Sequence, residues 1–237
     1  MGPGRQHPCA RATVGAEGRA MIINICFHGI GVCVREREQG ESRYWVREPH
    51  FLRILDEIAM HRDVRVSFDD GNISDVTVAL PAMQARELFG TFFALAGRLD
   101  DPASLNTSDL QLLRRNGMTI GSHGWSHISW RGMTDDVAHH ELVDARAALI
   151  EASRGAVDLA ALPLGSYDRK VIGRLEHCGY TTVYSSDRFR ARPDSWFQAR
   201  FSVTADDTRE SIREMILHRP NLGDARNVLA SAVKRVR

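Results

Sequence analysis

The sequence predicts an α/β protein whose parallel strands are joined by crossover helices. Short apolar runs rich in β-branched and aromatic residues alternate with longer segments of helical periodicity through most of the chain. The 237 residues are enough for one domain of the size in which α/β barrels form, and no low-complexity linker divides them. Such a chain forms either an open sheet or a closed barrel, and the alternation alone leaves both architectures open.

The predicted strands are compact apolar runs that stop at glycine, proline or a polar residue. They comprise residues 22–27, 64–68, 90–96, 118–121, 159–162, 181–184 and 196–203. The predicted helices begin at a capping side chain or at proline, and several end before glycine. They comprise residues 49–58, 74–86, 107–116, 134–155, 167–178 and 206–217, with a last helix from residue 224 after a break near Pro220. Pro81 should kink the second helix or delay its start.

The composition argues against several functions. The chain carries 31 basic and 30 acidic residues without a dense basic block, so charge gives no reason to bind nucleic acid or an anionic membrane. Its four cysteines form no CxxC pair, and reduced thiols are expected. No apolar run approaches the roughly 18 residues of a membrane span, and residues 1–20 lack the apolar centre of a secretory signal. We therefore expect a cytoplasmic protein with a disordered tail over residues 1–20 and a single folded domain over residues 21–237.

Polar residues gather where the predicted strands end. In both architectures the working groups of a parallel sheet lie at the carboxyl ends of its strands. The residues at those ends are His28, Asp69, Asp70, His123, Pro163 and Asp187. Asp69 and Asp70 are adjacent, and like charges side by side resist burial, so the pair indicates a cation or a proton at this strand end. A simple capping turn before Gly71 is the alternative interpretation.

His123 and His127 lie four residues apart and can direct their imidazoles to one point. This spacing alone is also common among ordinary histidines. Together with an aspartate at another strand end it favours a metal site, because one carboxylate and two imidazoles suit Zn²⁺ and similar divalent metals. Three protein ligands leave a position open for water, which is typical of a catalytic site. One aspartate would then bind the metal, while its neighbour remains free as a base.

The order of these motifs resembles a known family. Residues 67–71 (SFDDG), followed about fifty residues later by residues 123–127 (HGWSH), resemble the first two motifs of the NodB-homology polysaccharide deacetylases, carbohydrate esterase family 4. Residues 162–168 (LPLGSYD) are similar to the third motif. The resemblance implies a distorted (β/α) barrel of about seven parallel strands and a single catalytic domain. It also implies metal-dependent removal of an acetyl group from an N-acetyl sugar.

The resemblance assigns a role to each matched residue. Asp70, His123 and His127 would hold the metal, and Asp69 would act as the general base. The donor set favours Zn²⁺, with Co²⁺, Ni²⁺, Fe²⁺ or Mn²⁺ as alternatives. An amide nitrogen leaves poorly unless it is protonated, so a general acid is needed as well.

The general acid departs from the family pattern, which places a histidine in a late Leu-x-His motif. Only His218 is available there, and it follows a predicted charged helix instead of a strand. His28 follows a clear strand and precedes glycines that would let a substrate approach. This order resembles deacetylases of the biofilm poly-N-acetylglucosamine type, in which the acid motif precedes the double aspartate. We therefore predict His28 as the general acid and keep His218 as the alternative.

Three further residues are expected to face the substrate or the base. The third motif of the family commonly carries an arginine that orients the base, but Ala161 and Leu162 stand there. Arg200, in the last predicted strand, is the candidate for that task. A backbone N–H near Leu164 is expected to stabilise the developing oxyanion. Trp125 either stacks on a sugar ring or packs in the core of its own loop.

The sequence thus predicts a metal-dependent hydrolase that removes an acetyl group from an N-acetylated sugar. Because no export signal is seen, the expected substrate is an intracellular glycan precursor, a nucleotide sugar or a sugar-bearing metabolite. Two alternatives stay open. One is hydrolysis of a small non-sugar amide on the same fold, and the other is a non-catalytic carbohydrate-binding homologue.

Overall fold

The computed structural model describes residues 21–218 and 222–237, and its central feature is a parallel sheet whose two ends meet. Its strands are β1 (Ile23–Phe27), β2 (Gly29–Ile30), β3 (Trp45–Val46), β4 (Val64–Phe68), β5 (Gly90–Ala94), β6 (Thr119–Ser122), β7 (Leu159–Ala161), β8 (Thr182–Ser185), β9 (Phe197–Ala199) and β10 (Phe201–Ser202). Its α-helices are α1 (Glu48–Ile58), α2 (Leu80–Gln84), α3 (Thr107–Arg115), α4 (Asp135–His139), α5 (Ala145–Ser153), α6 (Arg169–His177), α7 (Arg209–Leu217) and α8 (Leu222–Val236). The predicted tail over residues 1–20 and the predicted break near Pro220 lie outside the described residues.

The sheet closes into a barrel through one stretch of chain. Hydrogen-bonded neighbours follow the order β10-β1-β4-β5-β6-β7-β8-β9, and each neighbouring pair is parallel. Only Arg200 separates β9 from β10, so the same stretch pairs with β8 on one side and with β1 on the other. Asn24 bridges this seam, because its amide donates buried hydrogen bonds to Gln198 Oε1 at 3.0 Å and to the Ala199 carbonyl at 3.1 Å. The barrel is therefore confirmed, and the stretch predicted as one strand is divided at Arg200.

Three phenylalanines, at the ends of β1 and β4 and in the middle of β5, form a column in the larger hydrophobic cluster. The rings of Phe27 and Phe68 stack with centroids 5.5 Å apart, and those of Phe68 and Phe92 stack at 4.5 Å. Phe51 of α1 packs edge-on against Phe27 at 5.1 Å. Aromatic pairs of this kind contribute about 0.5–1.5 kcal/mol beyond their buried area. The column thereby fixes the strand ends from which the polar residues of the site emerge.

A small second sheet was not predicted. β2 and β3 pair in parallel, with Gly29 opposite Trp45. A Cβ atom at Gly29 would lie 2.2 Å from ring atoms of Trp45, so this pairing requires glycine. The segment that joins the two strands, residues 31–44, is called the wall segment below.

Two predicted helices contain a wider turn. A π-helical turn over Asp75–Ala79 leads into α2, and another over His140–Asp144 joins α4 to α5. Pro81 lies in the first turn of α2, where a helix tolerates a residue without an N–H group. Thr134 caps α4 by accepting a hydrogen bond from the backbone N–H of Val137, as predicted. Among the described helices, each is too short or too polar to cross a bilayer.

Candidate metal centre and active site

A cavity of about 230 Å³ lies at the carboxyl ends of β1, β4 and β6. Most residues predicted for the site line it, namely His28, Asp69, Asp70, His123, His127, Leu164 and Arg200. The wall segment lines it as well, through Glu38, Gln39, Gly40, Glu41 and Tyr44. The polar strand ends and the wall segment therefore enclose one space.

Three side chains converge in this cavity. Asp70 Oδ1 lies 3.5 Å from His123 Nε2 and 3.3 Å from His127 Nε2. The possible ligand atoms of the three residues all lie within 4.8 Å of one another. Asp70 Oδ1 is buried and has no hydrogen-bond partner among the residues that the structure describes. A buried acceptor without a donor requires an explanation, and a bound cation is one.

Hydrogen bonds determine which ring nitrogens face this point. His123 Nδ1 lies 2.9 Å from the carbonyl oxygen of Ala161, and His127 Nδ1 lies 2.5 Å from Glu38 Oε1. Because a carbonyl and a carboxylate only accept, Nδ1 is the donor in each of these contacts, and Nε2 is the ring nitrogen that faces Asp70. Burial lowers the pKa of His123 to about 4, so its imidazole is neutral at pH 7, as a metal ligand must be. One carboxylate oxygen and two imidazole nitrogens that face one another suit a divalent cation at their centre.

The backbone around this group is strained and externally supported. Asp70 and His127 have φ angles of 73° and 58°, a left-handed conformation that costs of order 1–3 kcal/mol for a residue other than glycine. Buried Glu141, in the second π-helical turn, accepts hydrogen bonds from the backbone N–H groups of Trp125 at 2.8 Å and Ser126 at 3.0 Å. These bonds hold the loop that carries His127. The fold therefore maintains an unfavourable backbone conformation in order to direct these side chains inward.

Asp69 forms an ion pair with a buried arginine, Arg200. Arg200 Nη1 and Nη2 donate to Asp69 Oδ1 and Oδ2 at 2.6 and 2.7 Å, and Nη1 also donates to Ser67 Oγ at 3.1 Å. Arg200 is only 2% exposed, and its guanidinium also lies 5.2 Å from the ring centre of Phe93. A guanidinium bound through both arms fixes a carboxylate in position as well as in charge.

This ion pair sets the protonation state of both partners. Burial alone would raise the pKa of Asp69, but the Arg200 guanidinium outweighs it and holds that pKa well below its usual range. Burial opposes the charge of Arg200 as well, yet Asp69 raises the pKa of the guanidinium above its usual value. Asp69 is therefore ionised, and its oxygens are oriented, throughout the neutral pH range.

His28 follows β1 and lines the cavity near Asp69. Its ring packs against Tyr44 with centroids 4.8 Å apart, and its buried Nδ1 atom has no hydrogen-bond partner in the described part of the chain. Cys26, His28 and Asp69 form a second group whose possible ligand atoms lie within 4.8 Å of one another. This group fits a metal poorly, because Arg200 already binds both oxygens of Asp69 and burial raises the pKa of the Cys26 thiol.

The other predicted residues lie in different places. Leu164 lines the cavity in a left-handed conformation with φ 57° and is 61% exposed. Trp125 is absent from the described residues that line the cavity, and its indole lies 4.3 Å from the exposed ring of His140 at an interplanar angle of 35°. The sequence left two positions open for this indole, and a contact with a sugar ring stays a prediction. His218 lies at the end of α7 in a separate apolar cavity, where Nε2 is 3.0 Å from Asp224 Oδ2.

Sequence reasoning missed two carboxylates that support the histidine loop. Glu38 in the wall segment and Glu141 in a helix both bond the loop over residues 124–127. Glu141 lies on a helix whose acidic residues otherwise face solvent, and Glu38 lies in a loop of mixed charge. Neither position has a periodic or motif signal that would separate it from its neighbours.

Comparison with known proteins places these observations in a family. The sequence profile described as polysaccharide deacetylase matches residues 58–183, more than half of the chain. The chain belongs to the polysaccharide deacetylase family. The resemblance to the NodB-homology deacetylases is thereby confirmed. The matched segment of this family member contains Asp69, Asp70, His123 and His127, while His28 and Arg200 lie outside it.

Several solved structures share this fold. The deacetylase PplD of Streptococcus pyogenes, in complex with acetate, superposes with a TM-score of 0.74 and 16% identity over 84% of this chain and 100% of that one. BC0361, a polysaccharide deacetylase from Bacillus cereus, gives 0.72 and 18% identity over 83% and 69%. IcaB from Ammonifex degensii gives 0.69 and 18% identity over 84% and 97%. At these identities the likeness establishes the fold alone, and no curated protein matches the chain in sequence.

Proposed function

We propose that this member of the family is a divalent-metal-dependent hydrolase that removes the acetyl group from an N-acetylated sugar. The observation that carries the proposal is the convergence of Asp70 Oδ1, His123 Nε2 and His127 Nε2 within 4.8 Å of one another, beside an oriented carboxylate in one cavity. Asp70, His123 and His127 would hold the metal. The family membership supports a carbohydrate substrate.

Each residue has a part in the proposed reaction, in which water adds to the amide carbonyl carbon and the C–N bond breaks. A bound divalent metal supplies Lewis acidity, which polarises a carbonyl oxygen and makes water a stronger acid. Asp69 accepts a proton from the attacking water, because its carboxylate is ionised and lines the cavity. Arg200 keeps the accepting oxygens in place. Leu164 lines the cavity, which supports the proposal that a backbone N–H near this residue donates to the oxyanion.

His28 is the proposed general acid. It lines the same cavity, and its buried Nδ1 has no hydrogen-bond partner in the described part of the chain. Protonation of the leaving nitrogen by this imidazole releases a free amine together with acetate. The position of His218 in a separate cavity supports His28 over the late histidine.

Acetate release tests this proposal. The zinc-loaded protein is assayed with N-acetylglucosamine oligomers, UDP-N-acetylglucosamine and a panel of small non-sugar amides, beside the chelator-treated protein. We expect acetate from a sugar substrate, loss of activity on chelation, and recovery when zinc, cobalt or nickel is added back. Release from non-sugar amides alone would favour the alternative amide hydrolase, and no turnover with metal bound would favour a binding protein.

The variant His28→Ala tests the proposed acid separately. We expect turnover to fall below detection while the zinc content of the purified protein stays at the wild-type level. His218→Ala is the matched control and should retain activity. Wild-type rates in His28→Ala would remove this residue from the mechanism.

A further inference from the structure

We infer that Glu38 positions His127 for metal binding and thereby couples the metal centre to the wall segment. This inference rests on the metal centre of the proposed function. Glu38 Oε1 lies 2.5 Å from His127 Nδ1, on the side of the ring opposite the Nε2 atom that faces Asp70. A carboxylate that accepts the Nδ1 proton of a ligating histidine fixes its tautomer and makes Nε2 a better electron donor.

His127 needs such a partner more than His123 does. His123 directly follows β6, is buried, and donates to the backbone carbonyl of Ala161, which the barrel holds in place. His127 lies four residues farther along the loop in a left-handed conformation. Glu141 holds the backbone of this loop at Trp125 and Ser126. Among the described residues, Glu38 is the side chain that contacts Nδ1 of the His127 ring, so the orientation of Nε2 depends on it.

Glu38 is itself held by the barrel. Arg98, in the turn after β5, donates from Nη2 to the same Oε1 atom at 2.9 Å. The neighbouring Arg37 donates to Asn72 Oδ1 at 3.1 Å and to Ser104 Oγ at 2.9 Å. These contacts place the carboxylate although 36% of its side chain is exposed. The wall segment is thus fastened at the position that contacts His127 and at the residue immediately before it.

The wall segment also lines the cavity, so the contact between Glu38 and His127 connects the metal centre to the surface that encloses the substrate space. Glu38 and Tyr44 both line the space beside the site, and Tyr44 packs against His28. If the metal holds His127 and His127 holds Glu38, then metal binding orders the wall against which a substrate would lie. The coupling is reciprocal, because an ordered wall favours the geometry of the ligand.

Zinc affinity of matched variants tests this inference. Dissociation constants are measured at pH 7.5 by competition with a chromophoric chelator for Glu38→Ala, Glu38→Gln and Glu36→Gln. Glu36 lies in the same segment but accepts hydrogen bonds from the backbone N–H groups of Gly40 and Ser42, so its variant controls for changes in segment order. We expect Glu38→Ala to bind zinc about 10–100-fold more weakly. Glu38→Gln should lose less, since its amide oxygen still accepts, and Glu36→Gln should match the wild type.

Hydrogen exchange supplies a second readout. Zinc should slow amide exchange across the wall segment in the wild type and in Glu36→Gln, but not in Glu38→Ala. Equal zinc affinity in Glu38→Ala and the wild type would overturn the inference, and so would equal losses in Glu38→Ala and Glu36→Gln. A wild-type protein that binds no zinc would overturn the metal centre and this inference together. Zinc binding that depends on Glu38, without any acetate release, would support this inference while contradicting the proposed function.

Discussion

The ion pair between Asp69 and Arg200 is buried on both sides, so its two halves cannot be removed independently without penalty. Arg200→Met leaves an ionised carboxylate in a buried position without its counter-charge. Removing one partner of such a pair typically costs about 3–5 kcal/mol. We expect a loss of that size in the free energy of unfolding, measured by urea denaturation of the metal-free variant at pH 7.

A double-mutant cycle separates the pair from the packing of its side chains. The combination of Asp69→Asn with Arg200→Met removes both charges, so it should lose less stability than the sum of the single variants. We expect a coupling energy of about 1–3 kcal/mol. Strictly additive losses would show that Arg200 acts through packing against Phe93 and not through Asp69.

Asp75 is a buried carboxylate whose removal should stabilise the protein, in contrast to removal of Arg200. This aspartate is fully buried, and neither carboxylate oxygen has a hydrogen-bond partner from any described residue. Burial raises its pKa well above the usual 3.8, and the charges of Asp70 and Asp69 raise it further. The folded state therefore binds a proton more tightly than the unfolded state, and stability falls as pH rises above 3.8 toward the folded pKa.

Asp75→Asn should remove that loss, because asparagine does not ionise. We expect the metal-free variant to be more stable than the wild type at pH 7, with a difference that shrinks as the pH falls to 3.8 and below. Urea denaturation at a series of pH values measures it. A variant that is less stable at pH 7 would show that the carboxylate has a stabilising partner in solution.

At the scale of elements, the sequence predicts several strands well because most of their residues are buried. Such strands are short and mainly apolar, and the glycines and polar residues that follow them are visible in sequence. Predicted residues 22–27, 64–68 and 118–121 match β1, β4 and β6 within one residue at each end. Because parallel strands end at one edge, the proximity of Asp69, Asp70 and the two site histidines followed from the same pattern.

The division between β9 and β10 could not be predicted in the same way, because this part of the chain pairs with β8 before Arg200 and with β1 after it. The Arg200 N–H donates to the Ser185 carbonyl on β8, while the Val203 N–H donates to the Cys26 carbonyl on β1. Periodicity describes a strand with one partner on each edge and does not show where pairing changes.

The contact of Glu38 with His127 joins residues 89 positions apart through a loop, and loop shape depends on tertiary contacts that no local pattern records.

The contact between α1 and α7 depends on a buried carboxylate. Glu57 is 1% exposed and receives Arg209 Nε at 2.9 Å, with His61 Nε2 at 3.3 Å. Burial raises its pKa, but these partners outweigh burial and lower it below the usual 4.5. A lowered folded pKa adds stability that is present above pH 4.5 and is lost as the pH falls through the folded value.

Glu57→Gln should therefore make the free energy of unfolding depend less on pH at acidic pH. We expect it to cost about 1–2 kcal/mol at pH 7 and progressively less at lower pH, measured by urea denaturation. Asp56 lies beside Glu57 on α1 and forms an ion pair with Arg86 near the surface. Asp56→Asn is therefore the control and should cost less than about 1 kcal/mol. Parallel profiles for Glu57→Gln and the wild type would contradict the prediction.

At the scale of the whole molecule, the proposed metal ligands link separate parts of one barrel. Asp70 follows β4, the histidines follow β6, and β5 lies between these strands in the sheet. A metal bound by all three would therefore favour the closed barrel over the unfolded chain. A ligand at 100 times its dissociation constant stabilises the state that it binds by about 2.7 kcal/mol. For a chain of 237 residues this corresponds to a rise of roughly 5–10 °C in Tm.

We expect that rise when zinc is added to the chelator-treated wild type, recorded by calorimetry at one scan rate. Asp70→Asn should show no rise, because it removes the ligand charge that faces both imidazoles. Glu38→Ala should show a smaller rise at the same zinc concentration, since weaker binding reduces the stabilisation. An equal rise in the wild type and in Asp70→Asn would mean that zinc binds elsewhere on the surface. The three responses together distinguish a metal ligand from a residue that positions a ligand. Loss of the ligand Asp70 should remove the rise in Tm, whereas loss of Glu38 should only raise the zinc concentration at which the rise occurs.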